Sequence, residues 1–200
     1  MKNPREKYFE KRAQILVNNL RGRHFDAWYC ENREEALEKA LALIPEGASV
    51  GWGGAMSAQQ IGLMERLNTG NYRAIDRDKT TSVEERQAAM KQCLTADVFI
   101  TGANAISLDG QMVNIDGIGN RVAAIVYGPE SVIVIAGVNK IVDTLEDAVR
   151  RARTVAAPMN KQRFDSKTPC EVTGVCGDCK SEGCICNQIL TTRNCTCRPD

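Results

Sequence analysis

Apolar residues recur at intervals of three and four in several stretches of the chain, and between those stretches lie short runs that are apolar throughout. Tyr8, Ile15, Leu16 and Leu20 fall near helical spacing among charged residues, which predicts an amphipathic helix over residues 5–20. Residues 1–22 are accordingly expected to form an N-terminal helix that packs on the main domain. Asn32 stands where an N-cap belongs, ahead of a second helix whose face carries Ala36, Leu37, Ala40, Leu41 and Ile44, and Pro45-Glu46-Gly47 ends it. Ala48 to Trp52 reads as a buried strand running into a glycine turn. A helix then starts at Ser57, with Gln60 three residues on as in a capping box.

The alternation continues with a strand over residues 72–76, a helix over 83–94 and a strand over 98–101. It then changes. Ile106-Ser107-Leu108 and Met112 to Ile115 flank Asp109-Gly110, a dipeptide suited to the positive φ of a tight turn, so a β-hairpin is expected. Arg121 to Tyr127 and Val132 to Ala136 are near-continuous apolar runs that suit strands covered on both faces. Leu145, Ala148, Val149, Ala152, Val155 and Ala156 form the stripe of a last helix. The fold class read from this rhythm is α/β, one domain over residues 23–160 followed by a cysteine-rich tail over 161–200.

Polar groups collect at the predicted strand ends, where open α/β sheets bind ligands. Gly51, Gly53 and Gly54 lie between a strand and a helix, where glycine admits backbone N–H groups to an anion, or serves a tight turn packed by Trp52. Asn114, Asp116, Gly117, Gly119, Asn120 and Arg121 crowd one loop. Asparagine offers a donor and an acceptor, and arginine can clamp a carboxylate through two parallel bonds. The same residues could instead cap turns, with Arg121 paired to Asp116. Asn104, Asn139 and Lys140 follow two further strands. Together these residues form the expected site for a small anionic metabolite.

Net charge is +1, which gives no long-range pull on nucleic acid or an anionic membrane. Charges occupy the start of the chain where a secretory signal needs an apolar run, and no segment is long and apolar enough to span a bilayer. A cytoplasmic protein is expected. His24 is the single histidine, so a histidine-based catalytic triad would have to be built around it. Of nine cysteines, Cys30 and Cys93 fall on apolar stretches and read as core residues, whereas seven lie between Cys170 and Cys197 and include one C-x-x-C pair. Thiolates crowded in a short loop repel one another unless a cation or an iron–sulfur cluster neutralises them. Disulfides are the competing reading, disfavoured by a reducing compartment and an odd count.

Several separated motifs agree with one family. Val50 to Gly54, Thr101 to Ile106, Asn114 to Arg121, Tyr127-Gly128-Pro129 and Ala136 to Lys140 together resemble the LUD-domain, or lactate utilization protein, family. That resemblance implies a NagB/RpiA/CoA-transferase-like sheet with helices on both faces and a β-hairpin insertion. It also implies a link to oxidation of lactate or similar 2-hydroxy acids in bacteria, in company with a redox partner subunit. The tail is similar to a subgroup of small LUD proteins through Thr168-Pro169-Cys170, Thr173-Gly174, Cys176, Asp178-Cys179 and Ile185-Cys186-Asn187. The ligand set implied is Cys170, Cys176, Cys179 and Cys186. Cys184 departs from that pattern, where a basic residue is expected, and Cys184, Cys195 and Cys197 are spare thiols or replacement ligands.

A compact single-loop set of four cysteines suits a [4Fe–4S] cluster, while zinc remains the alternative. Three functions are open on the sequence. One is a redox component in which Arg121, Asn120 and Asn104 hold a 2-hydroxy acid and a cluster passes electrons. Another is a regulatory, metabolite-binding module with a zinc staple. A third is acyl or CoA transfer by fold analogy, with Asp109 or Asp116 as nucleophile. Whether the protein turns over a substrate, and whether it forms a homo-oligomer, are left open by these residues.

Overall fold

The computed structural model describes residues 2–196. Two compact units emerge among the described residues, each assembled from separated stretches: residues 30–102 with 123–137, and residues 2–29 with 103–122 and 138–196.

The first unit holds a parallel sheet. Its strands β1 (Ser49–Gly53), β2 (Arg73–Ile75), β3 (Val98–Thr101) and β6 (Ser131–Val134) lie in the order β2-β1-β3-β6. Gly51 faces Phe99 across the ladder, and Thr101 faces Val134. The central β3 is buried at every position, as its unbroken apolar run demands. Helices α2 (Arg33–Ala42), α3 (Met56–Gln60) and α4 (Leu63–Thr69) bury Ala40, Ala58, Leu63 and Leu67 in a core with Val50, Trp52, Val98 and Ile100. Each fully buried Leu there contributes about 1.5–3 kcal/mol. Asn32 caps α2 as expected, its side chain accepting the Glu35 N–H at 2.8 Å. Ser57 does not cap α3. That helix begins one residue earlier, at Met56 behind Ala55, and its entry has no side-chain cap bond. Helix α5 (Val83–Gln92), capped by Ser82, precedes β3.

The second unit holds a mixed sheet of β4 (Ala105–Ser107), β5 (Met112–Asp116), β7 (Ile141–Val142) and β8 (Gln188–Thr192), in the order β7-β4-β5-β8. The hairpin β4–β5 forms as the Asp109-Gly110 turn predicts, with Gly110 at φ +92°. Strand β8 comes from the tail and runs antiparallel to β5, Val113 opposite Thr191 and Asp116 opposite Gln188. Ala105, Val113 and Ile115 pack on Ala148, Ala152 and Ala157, small residues that let helix α7 (Leu145–Arg151) and its continuation approach closely. That continuation is a π-helical stretch over Ala152–Ala156 ahead of α8 (Ala157–Lys161). Pro158, which lacks an N–H, sits at the start of α8, where the ordinary ladder must be interrupted.

Helix α1 (Pro4–Gly22) buries Ala13, Leu16 and Val17, while Tyr8 and Ile15 of the expected stripe face solvent. It is fastened by an Arg12–Asp143 ion pair at 2.6 Å and by the Asn19 amide donating to the Leu108 carbonyl at 2.8 Å.

Residues 121–127 depart most from their sequence reading: Asn120–Val126 is a helix, α6, rather than a strand. The Asp116 carboxylate accepts the N–H groups of Arg121 at 3.0 Å and Val122 at 3.2 Å, satisfying donors at its first turn. A short apolar run is ambiguous between helix and strand, and here this cap decides it.

Candidate functional site

Asn104 organises the polar loop of the second unit. Its side-chain oxygen accepts the Ile115 N–H at 2.8 Å and the Arg121 Nη2 at 3.0 Å, and its own N–H donates to Val113 O at 3.0 Å. The Arg121 Nη2 also donates to the Ile115 carbonyl, and Arg151 Nη1 donates to the carbonyl of Asn104. Arg121 Nε lies 4.0 Å from Asp116 Oδ2, and both side chains are largely buried. Asp116 therefore caps α6 and borders the guanidinium at once. Its other oxygen takes the Gly117 N–H at 2.8 Å.

Lys140 ends a single 3-10 turn, Val138–Lys140, that also carries the exposed Asn139. Burial, reinforced by the charges of Arg151 and Arg121, pushes its ammonium down to about 8. Three cationic side chains thus bear on one neighbourhood, and two of them are held in place by backbone or amide oxygens. Such a cluster suits a carboxylate or phosphate, which accepts several charge-assisted hydrogen bonds.

The remaining expected residues divide. Asn114 is buried in β5, Asn120 opens α6, and Gly119 has φ +93° beside the Gln188 amide. Gly117 is needed for close approach, since a Cβ there would stand 3.2 Å from Ile185 Cα. Gly51, Gly53 and Gly54 belong to the first unit. A Cβ on Gly51 would meet Cys93 Sγ at 2.5 Å, so its glycine is accounted for by packing. The Gly53 carbonyl accepts the Thr101 hydroxyl at 2.8 Å. Arg151 escaped the sequence reading because its helix announces only an apolar stripe, on which an arginine counts as a solvated neighbour.

In the tail, Cys170, Cys176, Cys179, Cys184 and Cys186 line one cavity of about 290 Å³, walled also by Lys161, Arg153 and the buried Thr168. All eight described cysteines are free thiols. Cys93 is buried and Cys30 half-buried, while Cys195 lies off the cavity and Cys197 falls outside the described residues. Burial pushes the Cys186 thiol up to about 12, and neighbouring Cys184, Cys176 and Cys170 add to that rise. The Ser181 N–H and hydroxyl hold the Cys179 thiol below its ordinary range. Among the described residues, no three Cys, His, Asp or Glu side chains are gathered as ligands of a single ion. His24 is exposed, at φ +65° after α1. No helix among the described residues is long and apolar enough to cross a membrane.

A parallel α/β sheet in one unit, with a cationic loop and a cysteine-lined cavity in the other, defines the class of protein. The chain matches the LUD domain over residues 13–199 and belongs to that lactate-utilization-type family. No curated protein matches it. One similar solved structure is ribose 5 phosphate isomerase A from Neisseria gonorrhoeae, 22% identical with a TM-score of 0.36, over 56% of this chain and 54% of that one. The chain spans about half the length of that protein, and a likeness of this extent carries no argument about activity.

Proposed function

We propose that this LUD-domain protein is a redox component of 2-hydroxy acid metabolism that binds a small anionic metabolite and carries a [4Fe–4S] cluster on Cys170, Cys176, Cys179 and Cys186. The observation that carries this reading is that five of the seven tail cysteines line one and the same cavity. The chemistry of the donors suits the group: thiolates are soft anionic ligands, and although no three of them converge on one point among the described residues, all four line a volume of about 290 Å³, roomier than one ion needs. A NagB/RpiA/CoA-transferase-like arrangement of the parallel sheet and a cytoplasmic location complete the reading.

The cluster would supply one-electron transfer, exchanged with a redox partner subunit. The chain's own residues perform the binding. Arg121 and Arg151 present guanidinium N–H groups to a carboxylate, and Asn104 fixes their direction. Lys140 supplies an ammonium whose charge is weakened by its surroundings, so an anion that restores it gains affinity. Thr168 Oγ1, 3.6 Å from Cys170 Sγ, orients that sulfur, and Ser181 favours the ionised form of Cys179.

Anaerobic purification with iron, sulfide and zinc assays tests the reading. Iron and sulfide in equal amounts with brown colour support it. A colourless protein holding zinc overturns the electron-transfer role and leaves a metabolite-binding module with a stapled tail.

A further inference from the structure

The cavity wall contains a charge that ligation by cysteine does not use. Lys161, the last residue of α8, is 2% exposed and lines the cavity with the five cysteines. Its Nζ donates to the Gly183 carbonyl at 2.6 Å and stands 5.6 Å from the centroid of the Phe164 ring. Among the described residues these are its polar contacts, and no carboxylate is one of them. One carbonyl and a ring face replace only part of the hydration that an ammonium loses on burial, so the position is costly without a nearby negative charge. The other cation on the wall, Arg153, is already paired with Asp178 and is more open to solvent.

The lysine is also aimed. Gly183 sits between Cys179 and Cys184, and a Cβ there would stand 2.8 Å from both Ser166 Cβ and Oγ, so this backbone is pinned where its carbonyl meets Nζ. We propose that Lys161 is the built-in counter-charge of the thiolate centre, a positioning residue that fixes the Gly183 segment and favours the more negative, reduced state of the cluster. The inference rests on the cluster reading above. Reduction adds one electron from the reductant and hence one negative charge to the centre, without a proton. A fixed ammonium in a poorly solvated wall stabilises that added charge, and a neutral side chain of similar size does not.

The test compares full-length wild type with Lys161→Met and Lys161→Arg, all purified anaerobically, by iron and sulfide content and by redox titration followed in visible absorption. Lys161→Met is expected to keep its cluster while the equilibrium shifts at least tenfold toward the oxidised form, about 59 mV lower for a one-electron couple, and Lys161→Arg to restore it. Equal potentials at equal iron content overturn the counter-charge and leave the cluster reading standing. If Lys161→Met fails to load, recovery of iron in Lys161→Arg supports the role of charge, and failure of both overturns it. A wild type with neither iron nor zinc overturns both readings. A wild type with zinc alone overturns the cluster, and Lys161→Met must then lose zinc to a chelator tenfold faster than wild type. Equal rates would remove the counter-charge as well.

Discussion

The Asn104 side-chain oxygen takes the Arg121 Nη2 at 3.0 Å while it also receives the Ile115 N–H at 2.8 Å, so one amide joins a strand to a cation. Arg121→Ala removes a guanidinium that serves Asn104 and the Ile115 carbonyl together. The expected cost is about 1–3 kcal/mol of stability, read from urea unfolding, with a folded protein retained. Affinity for a 2-hydroxy acid such as lactate should fall at least tenfold by calorimetry. Unchanged affinity in the folded variant would remove Arg121 from the site.

Lys140 predicts two pH dependences of opposite sign. Its pKa is lowered from 10.5 to about 8 in the folded chain, so between these values the unfolded state binds more protons. The stability difference between wild type and Lys140→Met should therefore move in favour of wild type as pH rises from 8 to 10.5, by up to about 3 kcal/mol. Below pH 8 that contribution is lost. Anion affinity should run the other way, strongest below about 8 and weakening above it as the ammonium deprotonates. Denaturant titrations and calorimetry over this range check both slopes.

The cysteine cavity predicts a sharp division among thiols. Cys179→Ser and Cys186→Ser replace residues on its wall and should each release metal, whereas Cys195→Ser, off the wall, should retain the wild-type content. Metal analysis of the three variants decides the matter. Loss in Cys195→Ser with retention in Cys179→Ser would reverse the ligand assignment.

Gly51→Ala places a methyl 2.5 Å from Cys93 Sγ and 3.0 Å from its Cβ. Overpacking in the middle of a buried sheet should cost about 1–3 kcal/mol. Cys93→Ala in the same chain removes the sulfur and should recover part of that loss. A double-mutant cycle with no coupling would show that the glycine is kept for another reason.

The parallel sheet was legible because its strands are bounded by glycine and proline and spaced by helical periodicity, and the hairpin because Asp109-Gly110 dictates its own turn. Helix α6 was misread: the Asp116 carboxylate that caps it lies four residues before its first residue, and the run it caps is apolar all round. Strand β8 was hidden among cysteines, where Gln188 to Thr192 carries no strong alternation and acquires its strand from a partner, β5, far away in sequence. In the polar loop, Asn104, Asp116 and Arg121 announced themselves by type and crowding. Arg151 and Lys161 did not, since a cation on an amphipathic helix reads as solvated until its neighbours are known.

The pairing of β5 with β8 gives synthesis of this protein a direction. The unit that contains α1 cannot complete its sheet until residue 192 has been made, although its hairpin exists some eighty residues earlier, and the loop to be closed is long. The stretch from 30 to 102 with 123–137 can assemble first, because all of its strands are by then in hand. The cysteines therefore meet their cavity late, after a period in which the exposed edge of β5 and the nascent thiols share the same solvent. On the proposed cluster reading, metal would reach this cavity only after β8 has paired with β5, in competition with oxidation of the waiting thiols.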